Sequence, residues 1–370
     1  MKISRIAQVG AVAAVAALAL AGCASNETPG GTTDETTAAS DLSGEISGGG
    51  SSAQEVAVQA WTAGFQTANP DVTINYDPSG SGAGRESFQA GAFPFAGSDR
   101  AFTIEEVEAG PFDSCVDGSG IIELPTYISP IAIIFNIEGV DALNLDAATA
   151  AGLFAGTITN WNDPAIAALN PDATLPDLAV TPVHRADDSG TTENFTDYLF
   201  QAAGDVWTSE PDGVWPLSSG EAAQGTSGVV SAVAGGNGTI GYADASRAAE
   251  EGLSTAAIQV GDEFVEYSPE AAAAIVDESP FEEGRGEGDL AIELDRTSDA
   301  AGVYPIVLVS YMIACQEYAD AAVAPIVKGY LQYVASAEGQ DAAAASAGNA
   351  PISDSLREQV NAAIDLIVVE

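Results

Sequence analysis

Apolar and polar positions divide the chain into a repeated unit: a short apolar run, a Gly/Ser-rich turn, then apolar residues at helical spacing. Leu42 to Ile46 reads as a strand. Gly48-Gly49-Gly50-Ser51-Ser52-Ala53-Gln54 then turns into a helix on which Val56, Ala60, Trp61 and Phe65 share one face. Asn69-Pro70 stops that helix. Val72 to Tyr76 alternates as a second strand and passes through Pro78-Ser79-Gly80-Ser81-Gly82-Ala83-Gly84-Arg85 into another helix start. Phe93 to Gly97 is a third strand with Ser98-Asp99 at its end. Strand, turn and helix repeated in this way predict parallel α/β units.

Two apolar segments are longer than the rest. Ile121 to Asn136 carries two prolines, so it is either one extended strand with kinks or two strands in line. Gly302 to Ala314 has the same character, and the pair can serve as crossings between two lobes. Between them lie a Trp161-Asn162-Asp163 turn, a Gly-rich turn and helix at Gly225 to Val233, a glycine turn at Gly235 to Gly238 and Ile240-Gly241-Tyr242. His184 to Tyr198 follows a strand end (Ala179 to Val183) and becomes a helix whose apolar side holds Phe195, Leu199 and Phe200. Ser189 or Thr191 can cap that helix, and Glu193 lies in its first turn. The acidic run Asp277 to Asp289 reads as a solvated loop; its spacing fits no calcium loop. Beyond Tyr318 the chain is helical, with Val323, Ile326, Val327, Tyr330 and Leu331 on the core face.

Residues 1–22 form a signal segment: Lys2 and Arg5, then an apolar stretch from Val9 to Leu20. At 1.5 Å per residue that stretch spans only ~18 Å, short of a ~30 Å hydrocarbon core. It ends Leu20-Ala21-Gly22-Cys23, which looks like a bacterial lipobox. That likeness implies cleavage before Cys23 and lipid such as palmitate on it, anchoring the protein at the extracytoplasmic face of the cell membrane. Residues 23–43 then form a disordered Ser/Thr/Gly/acid tether with a reach of about 25 Å. Cys115 and Cys315 make an even pair in a chain that leaves the cytoplasm, so a disulfide is the favoured reading over two buried thiols.

The 370 residues are 46 % hydrophobic, ample for a two-domain core. Charge is the unusual quantity. All 54 acids lie beyond residue 22, as do only eight of the ten basic residues, leaving a net −46 on that part. Such a surface repels nucleic acid and anionic lipid. Yet four places share one anion-holding design of strand end, small polar residues and helix or turn: Gly50 to Ala53, Gly80 to Gly82, Ser98-Asp99, and Arg185 with Ser189-Gly190-Thr191. Three helix starts at roughly +0.5 each, with Arg185 and against Asp99, leave about +1.5 facing a ligand. With a Debye length of about 8 Å at physiological salt, distant carboxylates are largely screened from such a site.

Catalytic readings fit less well. Gly80 to Ser87 lacks the Lys-Ser/Thr of a phosphate loop. His184 is the only histidine, and His184, Asp187 and Ser189 crowd into six residues without a nucleophile elbow. No metal cluster and no cofactor motif is expected.

Arg185-Ala186-Asp187-Asp188-Ser189-Gly190-Thr191-Thr192 resembles the phosphate-binding proteins of bacterial phosphate-specific ABC importers. So do Gly48 to Gln54, Gly80 to Gly84, Gly97-Ser98-Asp99 and Ile240-Gly241-Tyr242, in the same order. The resemblance implies an α/β, two-lobed periplasmic-binding-protein fold of type II, with a ligand cleft between lobes joined by two crossing strands. Lobe I is expected over 44–127 and 303–370, and lobe II over 128–302. Carried over by position, Ser51, Ser52, Ala53, Ser81 and Asp99 would bind phosphate from the first lobe. Arg185, Ser189, Gly190 and Thr191 would bind it from the second, with Asp187 supporting Arg185. Two departures stand out: Ala53 where relatives carry an aromatic residue, and Asp188 where glycine is usual. The implied partners are inorganic phosphate and the permease's transmembrane subunits, the protein acting as a monomer. Alternatives are arsenate, sulfate or molybdate as ligand, or a phosphatase activity.

Overall fold

Ile121–Asn136 forms one unbroken 16-residue strand, buried at every position but the last. Neither proline breaks it. Over residues 121–130 it pairs antiparallel with Val307–Cys315, and from Ile131 onward with Thr239–Asp244. Pro130 therefore stands where the strand passes from one partner to the next. Pro125, which cannot donate to the ladder, sits where the register against Val307–Cys315 shifts by one residue, a bulge.

The computed structural model describes residues 42–369; the signal segment, Cys23 and nearly all of the tether expected above lie outside them. The first lobe opens with β1 (Gly44–Gly50), α1 (Glu55–Ala68), β2 (Val72–Asp77), α2 (Ser81–Gln89), β3 (Phe95–Ser98) and α3 (Ile104–Ala109). The long strand is β4. It leads to β5 (Leu143–Leu145), α4 (Ala147–Ala155), α5 (Pro164–Leu169), β6 (Thr181–Arg185) and α6 (Gly190–Ala203). Next come β7 (Glu221–Ala223), α7 (Gly225–Gly235), β8 (Thr239–Asp244), α8 (Ala245–Glu250), β9 (Ser254–Val260), β10 (Glu263–Val265) and α9 (Pro269–Glu278). β11 (Val307–Cys315) returns to the first lobe, where α10 (Ala324–Ala335), α11 (Ala337–Ala347) and α12 (Asp354–Asp365) pack.

The strand order β2-β1-β3-β11-β4-β8-β6-β7 runs through both lobes, with β4 common to the two halves. β1 lies parallel to β2 and β3, and β6 parallel to β7 and β8, as the repeated unit predicted. β1, β3 and β6 thus point their carboxyl ends, and the helices that follow, toward the space between the lobes. Cys115 and Cys315 are disulfide-bonded, fastening the segment after α3 to the end of β11. In the first lobe Trp61 is fully buried and donates from Nε1 to Gly339 O at 2.8 Å, joining α1 to α11. In the second, Phe195 stacks on Tyr242 with centroids 4.4 Å apart, and His184 stacks on Trp215 at 5.0 Å.

One sequence expectation needs correction and a second needs refinement. Phe200 is 38 % exposed. Phe195 and Leu199, four residues apart, define the buried stripe of α6, and position 200 lies a further 100° around the helix. The run Asp277–Asp289 is largely exposed, as expected, although its first two residues finish α9 and its last, Asp289, is buried. Arg285 pairs there with Glu282 and Asp289 and donates to Phe102 O, while Glu123 N donates to Gly288 O at 3.1 Å. Arg285 compensates the acids it touches and lets the end of the run dock on β4.

Where β4 meets β8, a fully buried carboxylate bridges the halves. Tyr127 OH donates to both oxygens of Asp244 at 3.1 Å, and Ser246 N donates to Oδ1 at 2.9 Å. Burial pushes the Asp244 carboxyl up to about 6, against those hydrogen bonds. The folded chain therefore keeps a proton that the unfolded chain releases near pH 4. The stability this contributes is complete below pH ~4 and is lost as pH rises through about 6. Asp244→Asn should accordingly gain on the wild type by roughly 3 kcal/mol between pH 4 and 7. Thermal melts of both proteins across that range check it; a constant difference would refute it.

Candidate functional site

The first jaw is built from three strand-to-helix turns. β1 ends at Gly50, whose φ of +133° and close approach to Gly97 O (2.0 Å from any Cβ) exclude other residues. Ser51 N donates to Gly97 O at 2.8 Å and Gly80 N to Gly50 O at 2.8 Å, so the turns after β1, β2 and β3 are laced together. Ser51 Oγ donates to Asp99 Oδ1 in a short contact and accepts from Ala53 N at 3.1 Å. Asp99 N donates to Ser81 Oγ at 3.1 Å. Behind the turn, Tyr76 OH donates to Ser51 O at 2.9 Å and accepts from Gln54 Nε2 at 3.3 Å.

The second jaw grows from β6. Arg185 donates from Nε to Asp187 Oδ1 at 2.8 Å and from Nη2 to Oδ2, with side chains 2 % and 9 % exposed. Asp187 takes two of the five guanidinium N–H groups and leaves the rest free for other partners. Burial opposes ionisation of Asp187, but the hydrogen bonds and charge of Arg185 outweigh it, and the carboxyl titrates below its usual range. Of the two possible caps of α6, Ser189 fills the role, accepting from Thr192 N at 3.2 Å. Thr191 is thereby released to cross the cleft and donate to Asp99 Oδ2 at 2.9 Å. Gly190 packs so closely that a Cβ there would lie 2.7 Å from that of Asp99.

All nine predicted residues are buried, and five of them, Ser51, Ser81, Asp99, Gly190 and Thr191, meet directly. Ser52 turns instead to α7: its Oγ lies 3.1 Å from Thr226 Oγ1 and accepts from Thr226 N at 3.2 Å. Asp187 accepts from Gly225 N at 3.0 Å, so the start of α7 closes the same side. Three contributors escaped the sequence reading. Thr226 repeats the Gly-Thr helix start already recognised elsewhere and could have been found. Asn194, which donates to Asp99 O at 2.6 Å and Gly190 O at 2.9 Å, and Ser310, which donates to Asp99 Oδ1 at 2.6 Å, carry no local signal.

Around the cleft three arginines pair with acids of the opposite lobe. Arg100 Nε lies 2.8 Å from Glu193, Arg247 Nη2 2.7 Å from Glu55, and Arg85 Nη2 3.6 Å from Asp188. Asp188, the acid at a position where glycine was expected, is half-exposed and lies over Gly82 on its way to Arg85. Glu193 is pushed above the usual carboxylate range by burial, which the Arg100 charge offsets only in part. Arg100 also grips Glu106 through two hydrogen bonds, which with the Arg100 charge hold that carboxyl down at about 2.

His184 is committed elsewhere: its ring stacks on Trp215 and its Nδ1 lies 2.9 Å from Arg185 O. With Ser189 occupied as a helix cap and Asp187 as the partner of Arg185, these three residues do not form a nucleophile, base and orienter series.

Fold and cleft together define a two-lobed solute-binding protein. Residues 29–338 match the PBP superfamily domain. Phosphate-binding protein PstS 3 of Mycobacterium tuberculosis is 35 % identical over 376 residues, covering 99 % of this chain and 100 % of that protein. Its counterpart in Mycobacterium leprae is 37 % identical over 325 residues, 86 % of this chain and 85 % of that one. A solved high affinity periplasmic phosphate-binding protein bound with phosphate superposes with a TM-score of 0.68 at 22 % identity, covering 86 % of this chain and 93 % of that one. A phosphate binding protein from Stenotrophomonas maltophilia gives 0.62 at 20 % identity over 86 % and 94 %. The chain belongs to the PBP superfamily and, within it, to the PstS phosphate-binding proteins.

Proposed function

We propose that this protein captures inorganic phosphate in the cleft between its lobes and delivers it to an ABC permease. The lobes in this reading are residues 44–127 with 303–370, and 128–302. Ser51, Ser52, Ala53, Ser81 and Asp99 act from one lobe; Arg185, Ser189, Gly190 and Thr191 act from the other. The observation that carries it is the buried Asp99 carboxylate, gripped by hydroxyls at the point where the α2 and α6 starts converge. An anion carrying its own O–H can donate to such a carboxylate, whereas one without a proton meets it lone pair to lone pair. Hydrogen phosphate and dihydrogen phosphate carry that proton at neutral pH; sulfate and molybdate do not. Arsenate shares the protonation of phosphate and should compete with it.

Binding, not turnover, is the role in this reading. Cys23 carries the lipid anchor, and the tether holds a monomeric receptor within about 25 Å of the extracytoplasmic membrane face. Titration calorimetry with phosphate, arsenate, sulfate and molybdate is the test. Heat from phosphate and arsenate alone is expected; equal heat from sulfate, or turnover of a chromogenic phosphate ester, would overturn it.

A further inference from the structure

We propose that Ser310 is a positioning residue for Asp99 and so helps set which oxyanions the cleft accepts; this rests on the phosphate reading above. Ser310 stands in β11 amid Val307, Leu308, Val309, Met312 and Ile313, and is fully buried. A hydroxyl there would be costly without a partner. Tyr311 pairs with Ser98 of β3, which places Ser310 beside Asp99. The register against β4 shifts between Ser310 and Tyr311, where β4 carries the extra residue, Thr126, so β11 itself keeps its regular course past Ser310. From that position Ser310 Oγ donates to Asp99 Oδ1 at 2.6 Å, the same oxygen that receives the Ser51 hydroxyl.

The count of lone pairs gives this contact its meaning. A carboxylate offers about four acceptor sites, two on each oxygen. Ser51 and Ser310 fill both on Oδ1. Thr191 fills one on Oδ2 and leaves the other for a ligand O–H. The final torsion of an aspartate is soft and broadly two-fold, so only its neighbours fix which oxygen faces the cleft. Ser310 comes from a crossing strand rather than a loop, so it fixes that orientation relative to the hinge itself. Without it, Oδ1 keeps an open lone pair and the carboxylate can turn.

Ser310→Ala removes the donor, and Ser310→Cys replaces it by a weak one at similar volume, so either variant that folds serves. Calorimetry should show phosphate binding weakened about tenfold, with the phosphate-to-sulfate preference reduced by a similar factor. A second readout needs no ligand: the infrared carboxylate stretch of Asp99, isolated by subtracting the spectrum of Asp99→Asn, should shift in the Ser310 variants. An unchanged preference together with an unchanged band overturns the proposal and leaves Ser310 a packing residue. A wild-type protein that gives no heat with phosphate overturns the phosphate reading instead, and the infrared band then decides on Ser310 alone.

Discussion

Asp99→Asn is expected to admit sulfate. In the wild-type cleft Oδ1 of Asp99 receives Ser51 and Ser310, and Oδ2 receives Thr191. An amide has one acceptor oxygen, and the two hydroxyls on Oδ1 will claim it. The NH2 group then occupies the place of Oδ2, and Thr191 must turn from donor to acceptor. What faces the ligand changes from a lone pair to an N–H. A site built to pair a ligand hydroxyl rejects an analogue lacking it by ~10⁴- to 10⁵-fold, and most of that discrimination should vanish. Competition calorimetry of sulfate against phosphate on the variant measures it directly. Sulfate excluded as strongly as before would remove Asp99 from the selectivity argument.

The second large effect is on Arg185. Arg185→Gln should cost about 3–5 kcal/mol of stability, because it leaves the nearly buried Asp187 without its cation. Binding should weaken as well, by ~2–5 kcal/mol, since in the proposed reading an oxyanion loses the buried guanidinium of this jaw. The two losses separate by pH. The folded Asp187 carboxyl titrates below its unfolded value, so its contribution is present above pH ~4 and is lost as pH falls through the lowered folded value. In Arg185→Gln that acid-side loss should shrink, because burial, which raises the carboxyl, is then opposed chiefly by backbone hydrogen bonds such as that from Gly225 N. Urea unfolding of both proteins from pH 3 to pH 7 tests this. Identical acid-side profiles would show that the pair contributes nothing to folding.

Local chemistry was legible in the sequence wherever it lay within one strand-turn-helix unit. Gly50 to Ala53, Gly80-Ser81, Ser98-Asp99 and Arg185 to Thr191 each announce themselves by small residues at a strand end, and the fold brings these turns together. The disulfide was legible from two cysteines in an exported chain. Partners set by pairing between distant strands were not. Ser310 is a lone serine in an apolar run, and only the adjacency of β3 aims it at Asp99. Asn194 looks like an ordinary helix residue until the second lobe meets the first. Phe200 shows the converse limit, since helical spacing proposes a stripe but only the neighbouring elements fix its width. Asp277–Asp289 is largely exposed, as its acidity suggested, but the docking of its end on β4 beside Arg285 had no local signal.

The ion pairs that span the cleft have a further consequence for how an anion approaches so acidic a molecule. Each of the eight basic residues among those described lies within 4.0 Å of a carboxylate, so the closed protein offers no bare cation to its surroundings. Parting the lobes changes that selectively. Arg100 retains Glu106 and Arg247 retains Glu250, but Arg85 loses Asp188, its one carboxylate within that distance. Arg85 lies one turn along α2 from Ser81, buried, and donates to Ser98 Oγ at 2.9 Å. Parting the lobes would equally bare the carboxylates of Asp188, Glu193 and Glu55, so opening would redistribute charge along the two rims and leave the net field of the cleft unchanged.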